Sequence, residues 1–187
     1  MPIALIVGPS GSGKTTIGKI LEKEYGFGQL VSCTTRPKRL LEEEGVDYYF
    51  TTEESLLEME LAESTTYNGN MYALSKQEVE QKLNQFENVY FITDKNGAQQ
   101  ISDHYPFEAH YYFLEVTIET MVERMKQRGD TDEQITSRID HAIDSKELLP
   151  PEHIPNFVTL EALDPAFKTA GYINEMNQEP TTAVGYN

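Results

Sequence analysis

Ile3-Ala4-Leu5-Ile6-Val7-Gly8-Pro9-Ser10-Gly11-Ser12-Gly13-Lys14-Thr15 is the stretch whose reading decides the fold. Five apolar residues run straight into a complete G-x-x-x-x-G-K-[ST] pattern, and a helical pattern follows. This order predicts a buried strand, a phosphate-binding loop and a helix. The glycines let the backbone curl so that several N–H groups converge on one anion. The helix behind the loop adds the positive end of its dipole. Gly8, Ser10, Gly11, Ser12, Gly13, Lys14, Thr15 and Thr16 are thus the candidates for holding a nucleoside triphosphate. Lys14 can reach the β- and γ-phosphates, and Thr15 can offer its hydroxyl to Mg²⁺.

The 187 residues suit one domain with a sizeable core. No apolar run approaches a membrane span, and the apolar start is too short for a signal peptide. A single cysteine, Cys33, excludes an internal disulfide and points to a cytoplasmic location. Cys33 reads as a small buried residue rather than a nucleophile. His104, His110, His141 and His153 lack metal-ligand spacing.

The net charge of −16 argues against nucleic acid or an anionic membrane as a partner of the general surface. Phosphates must then be held by local positive charge. The five arginines fall into two groups: Arg36 and Arg39, then Arg124, Arg128 and Arg138. Arginine's planar fork matches phosphate oxygens, so the two groups read as two phosphate-handling segments.

Strand and helix patterns alternate, which argues for a parallel α/β sheet. Strands are predicted at Ile3–Val7, Phe27–Ser32, Val89–Thr93, Ala109–Val116 and Asn156–Leu160. Helices are predicted at Lys14–Tyr25, Ser75–Phe86, Ile118–Arg128, Thr131–Glu147 and Ala162–Met176. Thr131-x-x-Gln134 is a capping box, and Ile135, Ile139, Ala142 and Ile143 share one helix face. Between Thr34 and Tyr72 the rhythm gives way to short extended pieces and one short helix near Glu53–Ala62, with Thr51 as its cap. That region reads as an insertion on the core. The resulting plan is a core of about residues 1–32, 87–123 and 148–177, an insertion of about 33–86 and a lid of about 124–147. A polar tail from about Gln178 is expected to fray.

Within the insertion, Arg36, Arg39 and Tyr48 can clamp a phosphate through two forks and a phenol. A buried carboxylate such as Glu63 suits a guanine edge, which presents two adjacent N–H donors.

Taken together, these motifs resemble guanylate kinase from about Ile3 to Pro150. The resemblance rests on Gly-Pro-Ser-Gly in the loop, Ser32-x-Thr-Thr-Arg36-x-x-Arg39 and Gly45-x-Asp-Tyr-x-Phe50. It extends through Gly69-Asn-x-Tyr72, Asp94-x-x-Gly97 and Arg124-x-x-x-Arg128-Gly129 followed by Arg138. It implies a P-loop fold with a nucleotide-binding insertion and a helical lid. It also implies phosphoryl transfer from Mg·ATP to GMP or dGMP, in a monomer or homodimer. Arg36, Arg39, Tyr48 and Tyr72 would then hold the acceptor phosphate, and Ser32, Glu63 and Asp94 would face its guanine. Arg124, Arg128 and Arg138 would close over the ATP phosphates, with Lys14 and Arg39 completing the catalytic set.

Three positions depart from the family pattern. Leu74 stands where a Thr or Ser hydroxyl usually lines the guanine site, with Thr65, Thr66 or Ser75 as alternative hydroxyls. Ile92 stands where a carboxylate usually serves Mg²⁺, and Asp94 is left to serve metal, base or helix cap. The usual Asn-Asp pair is not evident in Val158-Thr159-Leu160-Glu161, with Asn156 as a possible substitute. A relaxed base pocket, or a protein-binding module on the same scaffold, are the competing readings.

Overall fold

The computed structural model describes residues 2–67, 69–151, 157–162 and 165–178. Its central sheet holds β1 (Ile3–Val7), β2 (Gly28–Gln29), β7 (Val89–Ile92), β8 (Ala109–Glu115) and β9 (Phe157–Glu161) in the order β2-β7-β1-β8-β9. All pairs are parallel. β1 is buried along its whole length, which is why it reads as an unbroken apolar run. Its alternate residues feed two cores. Ile3, Leu5 and Val7 join Phe91, Phe113, Ala98 and Ile101 on one face. Ala4 and Ile6 join Ile17, Leu21, Ala170 and Ile173 on the other.

The helices covering the second face are α1 (Lys14–Tyr25) and α7 (Ala166–Asn177). α3 (Lys76–Gln85) and α4 (Lys95–His104) cover the first. α5 (Ile118–Gln127) and α6 (Asp132–Asp144) pack on each other through Met121, Met125, Ile135 and Ala142. The Thr131–Gln134 capping box forms as read. Ile143, however, is half exposed, so the buried stripe of α6 ends one residue earlier than predicted.

A second sheet, ordered β4-β3-β6-β5, contains β3 (Cys33–Thr34), β4 (Tyr49–Phe50), β5 (Leu61–Tyr67) and β6 (Asn70–Ser75). β5 and β6 form an antiparallel hairpin that the sequence reading did not find. The short helix α2 (Glu53–Leu57) stops well before Ala62, because Leu61 already begins β5. Its cap is Thr52, which accepts from the Ser55 amide, rather than Thr51. Cys33 is buried against Leu56 and Ala73, as read.

The predicted strand Phe27–Ser32 is shorter in the structure, where β2 covers Gly28–Gln29. The Leu30 amide still reaches Tyr90 O at 2.9 Å. The next amide, Val31, faces the open edge of the sheet, as alternation along a strand requires, and donates there to the Glu78 carboxylate at 3.1 Å. Glu78 also accepts from Tyr49 Oη at 3.3 Å, so one buried carboxylate ties the edge of the core sheet to β4 of the second sheet. α4 was likewise not predicted. Its run Lys-Asn-Gly-Ala-Gln-Gln is polar, and only Gly97, Ala98 and Ile101 are buried. The two sheets also meet at Gln100 of α4. Its amide accepts from Ser64 N and donates to Ser64 O, both at 3.1 Å. Asn156 and the tail beyond Gln178 lie outside the described residues.

Two mid-helix glycines separate packing from propensity. A Cβ on Gly18 would lie 2.6 Å from the Tyr90 ring, whereas one on Gly171 would meet only the Tyr25 hydroxyl at 3.3 Å. Gly18→Ala should lose about 1–3 kcal/mol of stability by overpacking. Gly171→Ala should be neutral or gain up to about 1 kcal/mol from helix propensity. Urea unfolding midpoints check both.

Candidate active site

The loop after β1 ends at Gly13, whose φ of 97° starts α1 in a conformation that favours glycine. Gly13 brings no side-chain cap, so the first amides of α1 stay open toward the loop. Lys14 folds over the loop and donates to Gly8 O at 2.5 Å and Pro9 O at 2.9 Å. Burial lowers its pKa to about 8, against the attraction of Glu147. The Ser12 hydroxyl is buried and has no partner among the described residues. Thr15 and Thr16 are exposed at the start of α1.

Around this loop lies a cavity of about 610 Å³, lined by residues 10–17, Arg124, Met125, Arg128, Ala162 and Ala166. Arg124, on α5, donates to the carbonyls of Gly11 (3.3 Å), Ser12 (3.2 Å) and Ala162 (2.8 Å). It therefore staples the loop to the segment after β9. Arg128 is paired with the Asp130 carboxylate. Arg138, on α6, reaches across to Ser10 Oγ at 2.8 Å. All three arginines of the second group thus converge on the loop's surroundings.

Beside it, a central cavity of about 820 Å³ runs from Gly8, Ser10 and Lys14 to Ile92, Thr93 and Asp94 on one side and to Gln134, Arg138 and Glu147 on the other. Ile92, Thr93 and Asp94 also line a third cavity, of about 380 Å³, at the second sheet. The three cavities form one chain of lining residues from α1 to the hairpin.

The third cavity gathers Ser32, Arg36, Arg39, Tyr48, Glu63, Tyr72 and Asp94, every residue predicted for the second site. Arg36 lies against the Tyr48 ring at 5.4 Å and donates through Nε to Tyr72 Oη at 3.3 Å. Its fork is engaged by Glu42, at 2.7 and 3.0 Å. Glu42 also accepts from the Arg39 amide at 2.9 Å. These contacts hold the Glu42 carboxyl below its usual range, with Arg36 the largest cause. Glu42 was not singled out in the sequence. Its only signal was a position six residues after Arg36, inside an acidic run of Glu42-Glu43-Glu44. The Arg39 side chain is mostly exposed.

Glu63 is buried at the other end of this cavity. A bulge between Leu61 and Glu63 aims it there. Burial and then the neighbouring Asp94 raise its pKa to about 7, and its carboxylate accepts no hydrogen bond from the described residues. Space for it comes from Gly97, where a Cβ would stand 2.9 Å from Glu63 Oε1 and closer still to Thr93 Oγ1. Asp94 caps α4 by accepting from the Gly97 amide at 2.8 Å, which leaves its second oxygen free of a cap role. Leu74 sits opposite Glu63 but is buried in the first core rather than lining the cavity. Among the described residues, no cluster of three or more His, Cys, Asp or Glu forms a metal site.

The family model described as guanylate kinase matches residues 1–152. A guanylate kinase of Fusobacterium nucleatum is 32% identical over 149 residues, covering 77% of this chain and 80% of that protein. One of Clostridium acetobutylicum is 35% identical over 145 residues, covering 75% and 69%. The crystal structure of guanylate kinase from Anaplasma phagocytophilum matches with a TM-score of 0.62 at 21% identity, over 98% of this chain and 87% of that one, which is a likeness of fold. With a phosphate loop, an arginine–tyrosine clamp and a buried carboxylate along one cleft, and with these matches over most of its length, the chain belongs to the guanylate kinase family.

Proposed function

We propose that this protein transfers the γ-phosphoryl group of Mg·ATP to GMP or dGMP, giving ADP and GDP or dGDP. The observation that carries the reading is Glu63, a buried carboxylate that no described residue satisfies. A charge in that state calls for donors from outside the protein. The N1–H and N2–H₂ edge of guanine supplies two side by side. The Arg36–Tyr72 clamp lines the same cavity.

In this reading Gly8, Ser10, Gly11, Ser12, Gly13, Lys14, Thr15, Thr16 and Arg128 hold the triphosphate. Arg36, Arg39, Tyr48 and Tyr72 hold the acceptor phosphate, and Ser32, Glu63 and Asp94 its base. Lys14, Arg39, Arg124, Arg128 and Arg138 neutralise the charge spread over the transferred group. An acceptor phosphate oxygen attacks the γ-phosphorus in line, the bond to the β-phosphate oxygen breaks, and ADP leaves. The attacking group is already an anion, so no general base is needed.

Mg²⁺ would travel with the nucleotide phosphates and supply charge neutralisation. Thr15, exposed at the loop, suits it through a hydroxyl, and Asp94 through a water. Burial brings the Lys14 pKa down to about 8, and a bound polyphosphate would hold its charge. We further propose that the partners are free nucleotides in the cytoplasm. In support, no described helix is long and apolar enough to cross a membrane, and the net charge is −16.

A coupled ADP-release assay with Mg·ATP against GMP, dGMP, AMP, CMP, UMP and dTMP should show turnover with GMP and dGMP. Absence of turnover with both refutes the reading. Lys14→Ala should lower kcat about 10³-fold with an unchanged thermal midpoint. Arg39→Ala should mainly raise KM for GMP, by about tenfold.

Glu63 links recognition to stability. Its ionised form accepts the guanine donors, so KM for GMP should fall as pH rises from 6 to 8, through its pKa of about 7. Glu63→Gln should raise KM and flatten that profile. The folded pKa lies above the ordinary 4.5, so the folded chain holds this proton more tightly than the unfolded one. The Glu63 contribution therefore declines as pH rises from about 4.5 to 7. Glu63→Gln should accordingly be more stable than the wild type at pH 8, by no more than about 3 kcal/mol, and the gap should close below pH 4.5.

A further inference from the structure

The third cavity contains a hydroxyl that no described residue uses. Thr65 lies two residues after Glu63 on β5, and both side chains line the cavity. Residues two apart on a strand point to the same side and stand about 6.5–7 Å apart. Across the hairpin, Thr65 faces Tyr72, the phenol that receives the Arg36 hydrogen bond, while Glu63 faces Leu74. Thr65 therefore stands between the unpartnered carboxylate and the arginine clamp. It is half-buried, and its hydroxyl makes no hydrogen bond with a described residue.

Of the other hydroxyls nearby, those of Ser32 and Thr93 line the same cavity, and Thr66 and Ser75 do not. Thr66 is exposed on the opposite side of the strand. Ser75 caps α3 by accepting from the Glu78 amide. Thr93 Oγ1 is pressed against Gly97 at the start of α4. Leu74, packed in the core, has no polar atom to give.

A carboxylate can only accept, so Glu63 reads the N–H groups of a purine and leaves the adjacent keto oxygen unread. A hydroxyl can donate to that oxygen. We infer that Thr65 is a specificity-determining residue, whose hydroxyl donates to the 6-keto oxygen of an oxopurine nucleotide held by Glu63. The inference rests on the proposed acceptor reading and adds to it the residue that recognises the keto group. On this account the hydroxyl contact has moved from the β6 side of the hairpin to the β5 side, and Leu74 is free to serve the core.

The test is steady-state kinetics of the wild type, Thr65→Val, Thr65→Ala and Thr65→Ser at saturating Mg·ATP, with GMP, dGMP and IMP. Valine keeps the branched shape and removes the hydroxyl. Thr65→Val and Thr65→Ala should raise KM for GMP and IMP by a common factor of about tenfold, with kcat within about twofold. Thr65→Ser should stay near the wild type, and the GMP-to-dGMP ratio should not move. An unchanged KM in both hydroxyl-free variants overturns the inference. So does a shift in the GMP-to-dGMP ratio, which assigns the hydroxyl to the sugar, or a loss confined to kcat. Wild-type turnover separates the two levels. If the wild type uses neither GMP nor IMP, the acceptor reading fails and takes this inference with it. If it uses them and the variants match it, Thr65 alone is misassigned.

Discussion

β1 is hydrogen-bonded on both sides, to β7 and β8, and covered on both faces. That double burial fixes everything downstream. A strand so placed can end only at the edge of the sheet where its neighbours diverge toward opposite sides, and there a crevice opens. The loop from Gly8 to Gly13 occupies that point, and α1 leaves from it to cover one core. The arginines of α5 and α6 reach the same loop from one side, and Thr93 and Asp94 at the end of β7 approach from the other. The position of the site is thus a property of strand order before it is a property of any polar residue.

Charge is distributed against the global balance. An acidic chain would be a poor trap for anions, yet its arginines are concentrated along one cleft. The two ends of the cleft are treated differently. At the clamp, Glu42 neutralises Arg36 and fixes its fork, so the guanidinium is ordered before anything binds. At the far end, Glu63 and Asp94 are neighbouring carboxyls with no cation between them among the described residues, and burial raises the pKa of Glu63. The first end is settled internally and the second is left open. That asymmetry is what gives the cavity a direction.

Much of this was legible in the sequence because it depends on local period and on short motifs. β1 and α1 match their predicted limits, and the Thr131–Gln134 box forms as read. Every residue predicted for the two sites lines one of three adjoining cavities. What was not legible depends on contacts distant in the chain. The Val31 amide, at the open edge of the core sheet, is satisfied by Glu78, 47 residues away. The β5–β6 hairpin, Ser64-Thr65-Thr66 included, lacks an alternating apolar pattern because one of its faces lines a polar cavity. α4 hides behind a glycine at its third residue, where a Cβ would crowd Thr93 Oγ1 and Glu63. Glu42 is chemically indistinguishable from the two glutamates that follow it until the Arg36 fork is seen.

The clasp between Gln100 and Ser64 has a wider meaning. β5 is the outer strand of its sheet, and an uncovered outer strand offers unpaired backbone groups to any passing chain. At Ser64 a primary amide imitates the missing neighbour, with one acceptor and one donor matched to one residue's N–H and C=O. A single side chain from the core therefore blunts a surface prone to intermolecular strand addition. It does so without a further strand that would wall off the cavity on the same hairpin.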